Sequence, residues 1–325
     1  MITPKELLIK LSQLRYPLPV KIVVTALVIY LVNKSLGKDN LSALLNGISL
    51  FPAAVAFFLG CIAFYCQVRR WKIILGVWGI DAGGIAALRT MLWGCLLAFI
   101  TPGRAGELFR GFSLPVPKKS RTVYAVLVDK LFAGAAALAA GVVCCAISLV
   151  RNKAACWGHW TIIIGAISVV SLACIAFALR SRPFAQTRLN RLPRFYGKQF
   201  SVLGFYSISA QFLFIIQTAA LLSMFGSEGF FDTMIASGQA YSFMLFFPFF
   251  IANMGIREYS FRLFLGCGRP PGAISGLSRL AFGASTVILI VNIILPALIG
   301  LIWWIIEKRV ASYQLPVASK IKDDA

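Results

Sequence analysis

Eight long apolar runs constrain the fold of this chain more than any other feature of its sequence. The runs are separated by short polar stretches and occupy residues 20–36, 50–68, 85–100, 123–150, 160–179, 200–225, 233–252 and 273–306. About 20 consecutive apolar residues are enough for an α-helix to cross the hydrocarbon core of a bilayer. A membrane β-barrel would instead alternate apolar and polar residues over short segments. The sequence therefore predicts an all-α polytopic membrane protein.

Basic residues greatly outnumber acidic ones, with 32 Lys and Arg against 11 Asp and Glu and a formal net charge of +21. In a soluble chain such an excess would indicate a nucleic-acid partner. Here 59% of the residues are hydrophobic, and basic residues beside membrane spans favour the cytoplasmic side and its anionic headgroups. The excess therefore indicates membrane topology, and we expect no nucleic-acid partner.

Residues that bind metals or act as nucleophiles form no recognisable cluster in the sequence. The only histidine is His159, and no two of the eight cysteines are spaced as a CxxC pair. A metal site needs several such ligands, and a nucleophile needs a neighbouring base. The sequence also lacks the glycine-rich Walker A pattern that binds nucleotide phosphates. It therefore predicts no metal site, no cofactor and no catalytic residue, and hence a protein that is not an enzyme.

The distribution of basic residues between the runs predicts the topology. They are frequent in the N-terminal arm, around 69–89, 110–121 and 180–198, and after Trp304, and these regions are placed in the cytoplasm. The run 85–100 then has cytoplasmic charges, including Arg110, on both flanks, while the run 233–252 has both flanks outside. Neither run can be a plain span. We therefore predict six spanning helices plus two re-entrant broken hairpins, with both termini cytoplasmic, in the cytoplasmic (inner) membrane.

The predicted topology contains an inverted repeat. Residues from about 20 to 150 form span, span, hairpin and span, and residues from about 158 to 306 repeat that order with every direction reversed. Glu107 and Glu258 lie about 150 residues apart, and so do Lys130 and Arg279. The whole chain, 1–325, is thus predicted to be one transmembrane domain with a cytoplasmic tail at 307–325. Inverted repeats with broken helices are typical of secondary transporters.

Two segments place charged residues directly after apolar runs. They read TPGRAGE at 101–107 and NMGIRE at 253–258. A charge at bilayer depth costs about 3 kcal/mol or more, and Pro102, Pro248 and Gly255 are expected to interrupt the helices there. Non-helical backbone at that depth is tolerated only where it packs in protein or lines a wet cavity. The two segments are therefore predicted to form a polar site within the membrane.

The arginines of these segments suit an anionic ligand. Arg104 and Arg257 each carry a planar fork of donors that matches a phosphate or carboxylate. Glu107 and Glu258 are expected to neutralise them when no anion is bound, and helix N-termini would add amide dipoles. The alternative is that each Arg pairs only with its Glu and fastens the hairpin. The backbone and hinge positions of the predicted site are Pro102, Gly103, Gly106, Pro248, Asn253 and Gly255.

Three more charged residues stand in the runs that follow the two hairpins. Asp129 and Lys130 lie in the run 123–150, and Arg279 lies in the run 273–306. Neighbouring residues of a helix point about 100° apart, so Asp129 and Lys130 cannot both face one partner. We expect these residues to line the substrate site, or, for Lys130 and Arg279, to extend toward the membrane interface instead.

The sequence RRWK at 69–72 follows the second apolar run. Its basic residues are interpreted as a topology signal, with Trp71 at the membrane interface. The alternative interpretation is a surface patch that gathers lipid headgroups near the first hairpin.

These motifs resemble those of the transmembrane, flippase-like region of lysylphosphatidylglycerol synthases and its stand-alone relatives. The shared features are PGRAGE at 102–107, Pro248 ahead of GIRE at 255–258, Arg70–Trp71 and Arg279, and they span about residues 20–305. At 252–254 the family is richer in glycine, where this chain has Ala-Asn-Met. The soluble aminoacyltransferase domain of the fused synthases has no counterpart in these 325 residues. The resemblance therefore implies translocation of a lipid across the cytoplasmic membrane rather than its aminoacylation.

The sequence thus favours a flippase or transporter of a phospholipid or other polar-headed lipid, whose headgroup binds the Arg and Glu residues of the two segments. Its energy would come from a proton or ion gradient, with Glu107 or Glu258 as proton carrier, or from downhill scrambling. A homo-oligomer is compatible with the sequence. One alternative is a membrane enzyme that acts on a lipid phosphate or lipid-linked sugar, with Glu107 or Glu258 as base. Another alternative is a small-anion transporter.

Overall fold

A computed structural model describes residues 50–114, 116, 119–151, 166, 170, 197–224, 229–246, 256–266 and 274–306. Every regular element among these residues is helical, and none of them belongs to a β-strand. The structure therefore confirms the prediction of an all-α protein.

The helices fall into two groups by length. The long ones are α1 (Leu50–Val77), α3 (Lys119–Val150) and α4 (Gly197–Met224). The shorter ones are α2 (Gly84–Ile100), α5 (Phe230–Met244), α6 (Ile256–Leu265) and α7 (Ile274–Leu289). A 3-10 segment, Pro102–Ser113, follows α2, and a π-helical turn, Ile290–Ile294, joins α7 to a last helical stretch. The 3-10 segment and α6 contain the polar motifs.

Four helical stretches of the described residues are long and apolar enough to cross a membrane. They are Phe51–Val77, Arg121–Val150, Gly197–Ser223 and Ala281–Ile306. Large apolar side chains such as Phe58 and Ile62 are exposed on the outside of α1, as expected where lipid replaces water. The chain is therefore a multi-pass helical membrane protein. The two other predicted spans, at 20–36 and 160–179, lie outside the described residues except for single positions.

The first polar motif begins where α2 ends. Thr101 has an extended backbone (φ −108°, ψ 140°), and Pro102 opens the 3-10 segment. A residue before proline avoids the helical region, and the proline nitrogen has no hydrogen to donate to the helix. The Thr101 hydroxyl donates to the carbonyl of Leu97 at 2.8 Å and accepts the amide hydrogen of Gly106 at 2.6 Å. One side chain therefore ties the end of α2 to the start of the segment.

Gly106 allows the 3-10 segment to lie directly against α2. A Cβ atom at this position would overlap the carbonyl oxygen of Leu97. Any larger residue would therefore push the segment away from the helix it follows.

The second polar motif follows a similar interruption. α5 ends at Met244 in a turn at Leu245 and Phe246, and α6 starts at Ile256. The residues between them, including Pro248, Asn253 and Gly255, lie outside the described part of the chain. The structure thus has two separate helices where a single span would have one.

The same order of elements occurs twice: a long span, a shorter apolar helix, a polar helical segment and a long span. The spans that open each series, α1 and α4, pack against each other. α3 then packs on α5, where Gly141 meets Ser242, while the final span packs on α2, where Gly300 meets the carbonyl of Leu92. The second span of each series therefore packs on the short helix of the other.

Candidate functional site

A buried carboxylate, Asp129 of α3, holds two arginines from different elements. Arg70 of α1 donates from Nε to Asp129 Oδ1 at 2.6 Å, and Arg110 of the 3-10 segment donates from Nη2 to Oδ2 at 2.7 Å. All three residues are at most 3% exposed. Charge-assisted hydrogen bonds of this length are strong. We call these three residues the Asp129 cluster, and it fastens the 3-10 segment to α1 and α3.

Further side chains surround the Asp129 cluster. The guanidinium of Arg110 lies 3.9 Å from the centre of the Trp71 ring, a cation–π contact. Trp71 Nε1 donates to Thr90 Oγ1 at 2.8 Å, and Arg70 Nη1 donates to Ser207 Oγ at 3.3 Å. The cluster therefore also reaches α2 and α4.

Two expectations about this region are wrong. Trp71 was expected at the membrane interface, but it is 0% exposed. Arg110 was expected among the cytoplasmic surface charges, but it is buried against Trp71 and Asp129. The physical reason is Asp129, which offers a buried partner that a count of loop charges does not consider. An acidic residue inside an apolar run requires a cationic partner. That requirement indicates a buried basic residue but does not identify Arg70 or Arg110.

Lys130 forms its own ion pair, with Glu107 of the 3-10 segment. Glu107 is buried, whereas the Lys130 side chain is 42% exposed, so the pair lies at the edge of the protein interior. Asp129 and Lys130 have different partners, in agreement with their angular separation on the helix. The 3-10 segment is thus held on α3 by two ion pairs from consecutive residues.

Two of the predicted arginines have a described backbone but no described side chain. Arg104 lies in the 3-10 segment with Pro102 and Gly103, and Arg279 lies in α7. Where these side chains point lies outside what the structure describes. Their predicted role in a substrate site stays a prediction.

Arg257, in the second half of the chain, is a buried charged residue with unused hydrogen-bond donors among the described residues. It lies in the first turn of α6 and is 4% exposed. Its guanidinium Nε and Nη2 make no hydrogen bond within the part of the chain that the structure describes. The carboxylate Oε1 of the adjacent Glu258 lies 3.6 Å from Nη2, too far for a hydrogen bond. Arg257 therefore keeps donors available in a buried position.

Polar and aromatic groups of neighbouring helices surround this position. Tyr241 of α5 interacts electrostatically with Arg257, and its hydroxyl shares a 2.8 Å hydrogen bond with Thr218 of α4. Phe261, one turn beyond Arg257 on α6, packs edge-on against the Tyr241 ring. The first turn of α6 also favours anions through the helix dipole. The arrangement offers an anion a guanidinium and an aromatic wall.

The two polar segments have different packing partners. The 3-10 segment packs against α2 and α3, and α6 packs against α5 and α7. A single site that combines Arg104 with Arg257 would involve the Arg104 side chain and residues 251–255, which lie outside the described parts of the chain. That combination stays a prediction.

Comparison with known proteins assigns the family. No curated protein matches the sequence. The family model for the lysylphosphatidylglycerol synthase TM region, however, matches residues 19–300, which include α1 to α7. The chain therefore belongs to the family of lysylphosphatidylglycerol synthase transmembrane regions.

Proposed function

We propose that this protein transports a lipid across the cytoplasmic membrane and that Arg257 binds the headgroup. The observation that carries the proposal is the buried guanidinium of Arg257, two of whose nitrogens have no hydrogen-bond partner among the described residues. The substrate class is a phospholipid or another lipid with a polar, phosphate-bearing headgroup.

The physical argument concerns the free energy of burying a charge. A buried cation whose donors are unused is unfavourable by several kcal/mol, unless a partner arrives. A phosphate has the geometry that a guanidinium fork binds best. Because α6 begins one residue before Arg257, the helix dipole also favours an anion there. An anionic headgroup would therefore supply hydrogen bonds that Nε and Nη2 of Arg257 do not make among the described residues.

The packing of the helices supports the transport mechanism. The reciprocal contacts of α3 with α5 and of the final span with α2 are those expected of two related halves. We propose that these halves form the predicted inverted repeat, with six spans, two re-entrant hairpins and both termini in the cytoplasm. In transporters of this kind, the substrate site lies between the repeats, and rocking of one repeat exposes it to either side.

Glu107, which pairs with Lys130, is the first-half counterpart of Glu258, which lies beside Arg257. We propose that Glu107 or Glu258 carries a proton if transport is coupled to a gradient. Downhill scrambling requires no such carrier. Acyl or prenyl tails would stay in the bilayer while the headgroup crosses.

The test is translocation of a labelled phospholipid in proteoliposomes, with Arg257→Ala compared with Arg262→Ala. Both residues are arginines of α6, but Arg262 is exposed. Loss of a charge-assisted contact to the headgroup should slow translocation by about tenfold or more in Arg257→Ala. Arg262→Ala should stay near the parent rate. Equal rates in Arg257→Ala and the parent protein would refute the proposed site.

Two further readouts separate the alternatives from lipid transport. If inorganic phosphate is transported and competes with lipid for Arg257, the protein is a small-anion transporter. If a chemically altered lipid accumulates when the protein is incubated with lipid extract, it is an enzyme. Unaltered lipid that changes leaflet supports the proposal.

A further inference from the structure

Two of the four side chains of the RRWK sequence at 69–72 face the inside of the protein, and the other two face its outside. Arg70 and Trp71 are buried in the Asp129 cluster and its surroundings, whereas Arg69 and Lys72 are exposed. Residues three apart on a helix lie on the same side. α1 therefore presents two cations together on its outer surface, independently of the buried arginine beside them.

These two cations lie at an apolar cleft between α1 and α2. The cleft has a volume of about 310 Å³, and apolar atoms dominate its lining. Besides Arg69 and Lys72, its wall includes Tyr65 and Val68 of α1 and Leu88 of α2. The volume is at the lower end of the range for small-molecule sites. It is suited to a segment of hydrocarbon chain rather than to a large rigid ligand.

Arg69 interacts electrostatically with a residue of another helix, Tyr206 of α4. A guanidinium has five donors, so a single neighbour does not use all of them. Gly84, the first residue of α2, also lines the cleft, and no described side chain caps that helix end by a hydrogen bond. The N-terminus of α2 thus lies at the same cleft.

The depth of the two cations matches a headgroup. Arg69 and Lys72 lie in the last part of the span Phe51–Val77, within about 12 Å of its end. Long basic side chains at that depth reach the interface. Exposed apolar residues on α1, such as Phe58 and Ile62, indicate that the surface around the cleft faces lipid.

From this geometry we infer that the α1–α2 cleft is a binding site for an anionic phospholipid. One acyl chain occupies the apolar cleft, and Arg69 and Lys72 bind the phosphate. The charge of the cleft mouth and the apolar character of its wall match the two ends of such a lipid. This site is separate from Arg257, and the inference does not depend on the proposed transport activity.

The test is photo-crosslinking of the full chain in nanodiscs of phosphatidylcholine that contain a small fraction of phosphatidylglycerol with a diazirine on one acyl chain. Mass spectrometry then maps the labelled peptides. In the parent protein, the label should concentrate on the parts of α1 and α2 that line the cleft. The double variant Arg69→Ala/Lys72→Ala should lose that labelling by about tenfold, because each basic side chain near the surface strengthens binding of an anionic lipid.

The matched control is Arg121→Ala/Lys198→Ala. It removes the same two charges from exposed positions of α3 and α4 outside the cleft, and it should label like the parent. Leu88→Trp, which fills the cleft and keeps both cations, should lose labelling as well. Size-exclusion chromatography of each variant shows whether it is folded, and only folded variants are compared.

Two results would overturn the inference. The first is equal labelling of α1 and α2 in the Arg69→Ala/Lys72→Ala variant and its control. The second is equal labelling by a diazirine phosphatidylcholine, which would show that the cleft does not select anionic lipid. Arg257→Ala distinguishes this site from the transport site, because it should retain the cleft labelling whether or not it retains translocation.

Discussion

Two buried arginine sites in this protein differ in how their charge is satisfied. Arg70 and Arg110 share the carboxylate of Asp129, with donor–acceptor distances of 2.6 and 2.7 Å. Arg257 is equally buried, but two of its nitrogens make no hydrogen bond among the described residues, and Glu258 is 3.6 Å away. Arg110 Nε also makes no hydrogen bond among the described residues, but Arg70 and Arg110 each have a carboxylate within hydrogen-bonding distance. Among the same residues, Arg257 has no such carboxylate.

This difference separates structural charge from charge available for binding. Burial alone does not distinguish them, since both sites are almost inaccessible to solvent. The number of hydrogen bonds that each guanidinium already makes is the useful criterion. We therefore expect substitutions at the Asp129 cluster to affect folding, and substitutions at Arg257 to affect transport.

The largest expected effect is that of Asp129→Asn. It leaves Arg70 and Arg110 buried without their carboxylate, which should destabilise the protein by about 3–5 kcal/mol. The measurement is thermal unfolding in detergent, followed by the fluorescence of the tryptophans. The control is Asp232→Asn, which removes the partly exposed partner of Arg151 and should cost at most about 1 kcal/mol. If both variants unfold at the same temperature, the Asp129 cluster does not hold its elements together.

A smaller effect is expected for Gly106→Ala. The added methyl group would overlap the Leu97 carbonyl and shift the 3-10 segment that carries Arg110. We expect a loss of about 1–3 kcal/mol in the free energy of unfolding, measured by denaturant titration. Gly134→Ala on α3 is the control, since a Cβ there meets no atom within 4 Å, and it should be neutral or slightly stabilising. Equal stability of the two variants would show that the 3-10 segment can move without a loss in the free energy of unfolding.

The smallest change in stability is expected for Arg257→Met. It replaces a buried charge that has unused donors by an apolar side chain of similar length, so the unfolding temperature should stay constant or rise by the equivalent of about 1 kcal/mol. Translocation should nevertheless fall, as for Arg257→Ala. A loss of several kcal/mol would instead support the alternative that Arg257 and Glu258 only fasten the hairpin. Asp129→Asn should lower the free energy of unfolding, whereas Arg257→Met should leave it unchanged or raise it. This opposite effect on stability tests the difference between the two arginine sites directly.

The sequence predicted the class of protein and several local features because they depend on neighbouring residues. Continuous apolar runs identified helices long enough to span a bilayer, and Pro102 marked the end of α2. The angular separation of Asp129 and Lys130 correctly predicted that they have different partners. The number of spans and the inverted repeat stay predictions, since residues 20–36 and 160–179 lie mostly outside the described structure.

The RRWK segment illustrates where sequence reasoning failed. Its charges marked the apparent end of an apolar run at residue 68, but α1 continues to Val77. The helix continues because Arg70 and Trp71 turn inward and are satisfied by groups far away in the chain. Arg69 and Lys72 do face outward, as a surface patch requires. Composition could not show which of these four residues are buried and which are exposed, because burial depends on what packs against each side of the helix.

The sequence by itself determined that the chain is a helical membrane protein with two interrupted polar segments, because hydropathy and proline act over a few neighbouring residues. Only the tertiary structure decided which buried charges are neutralised. Asp129 is 59 residues from Arg70 and 19 from Arg110, and no local pattern records such pairings. A carboxylate becomes a partner only when folding brings it within hydrogen-bonding distance. Among the described residues, that same folding leaves two nitrogens of Arg257 without a hydrogen-bond partner.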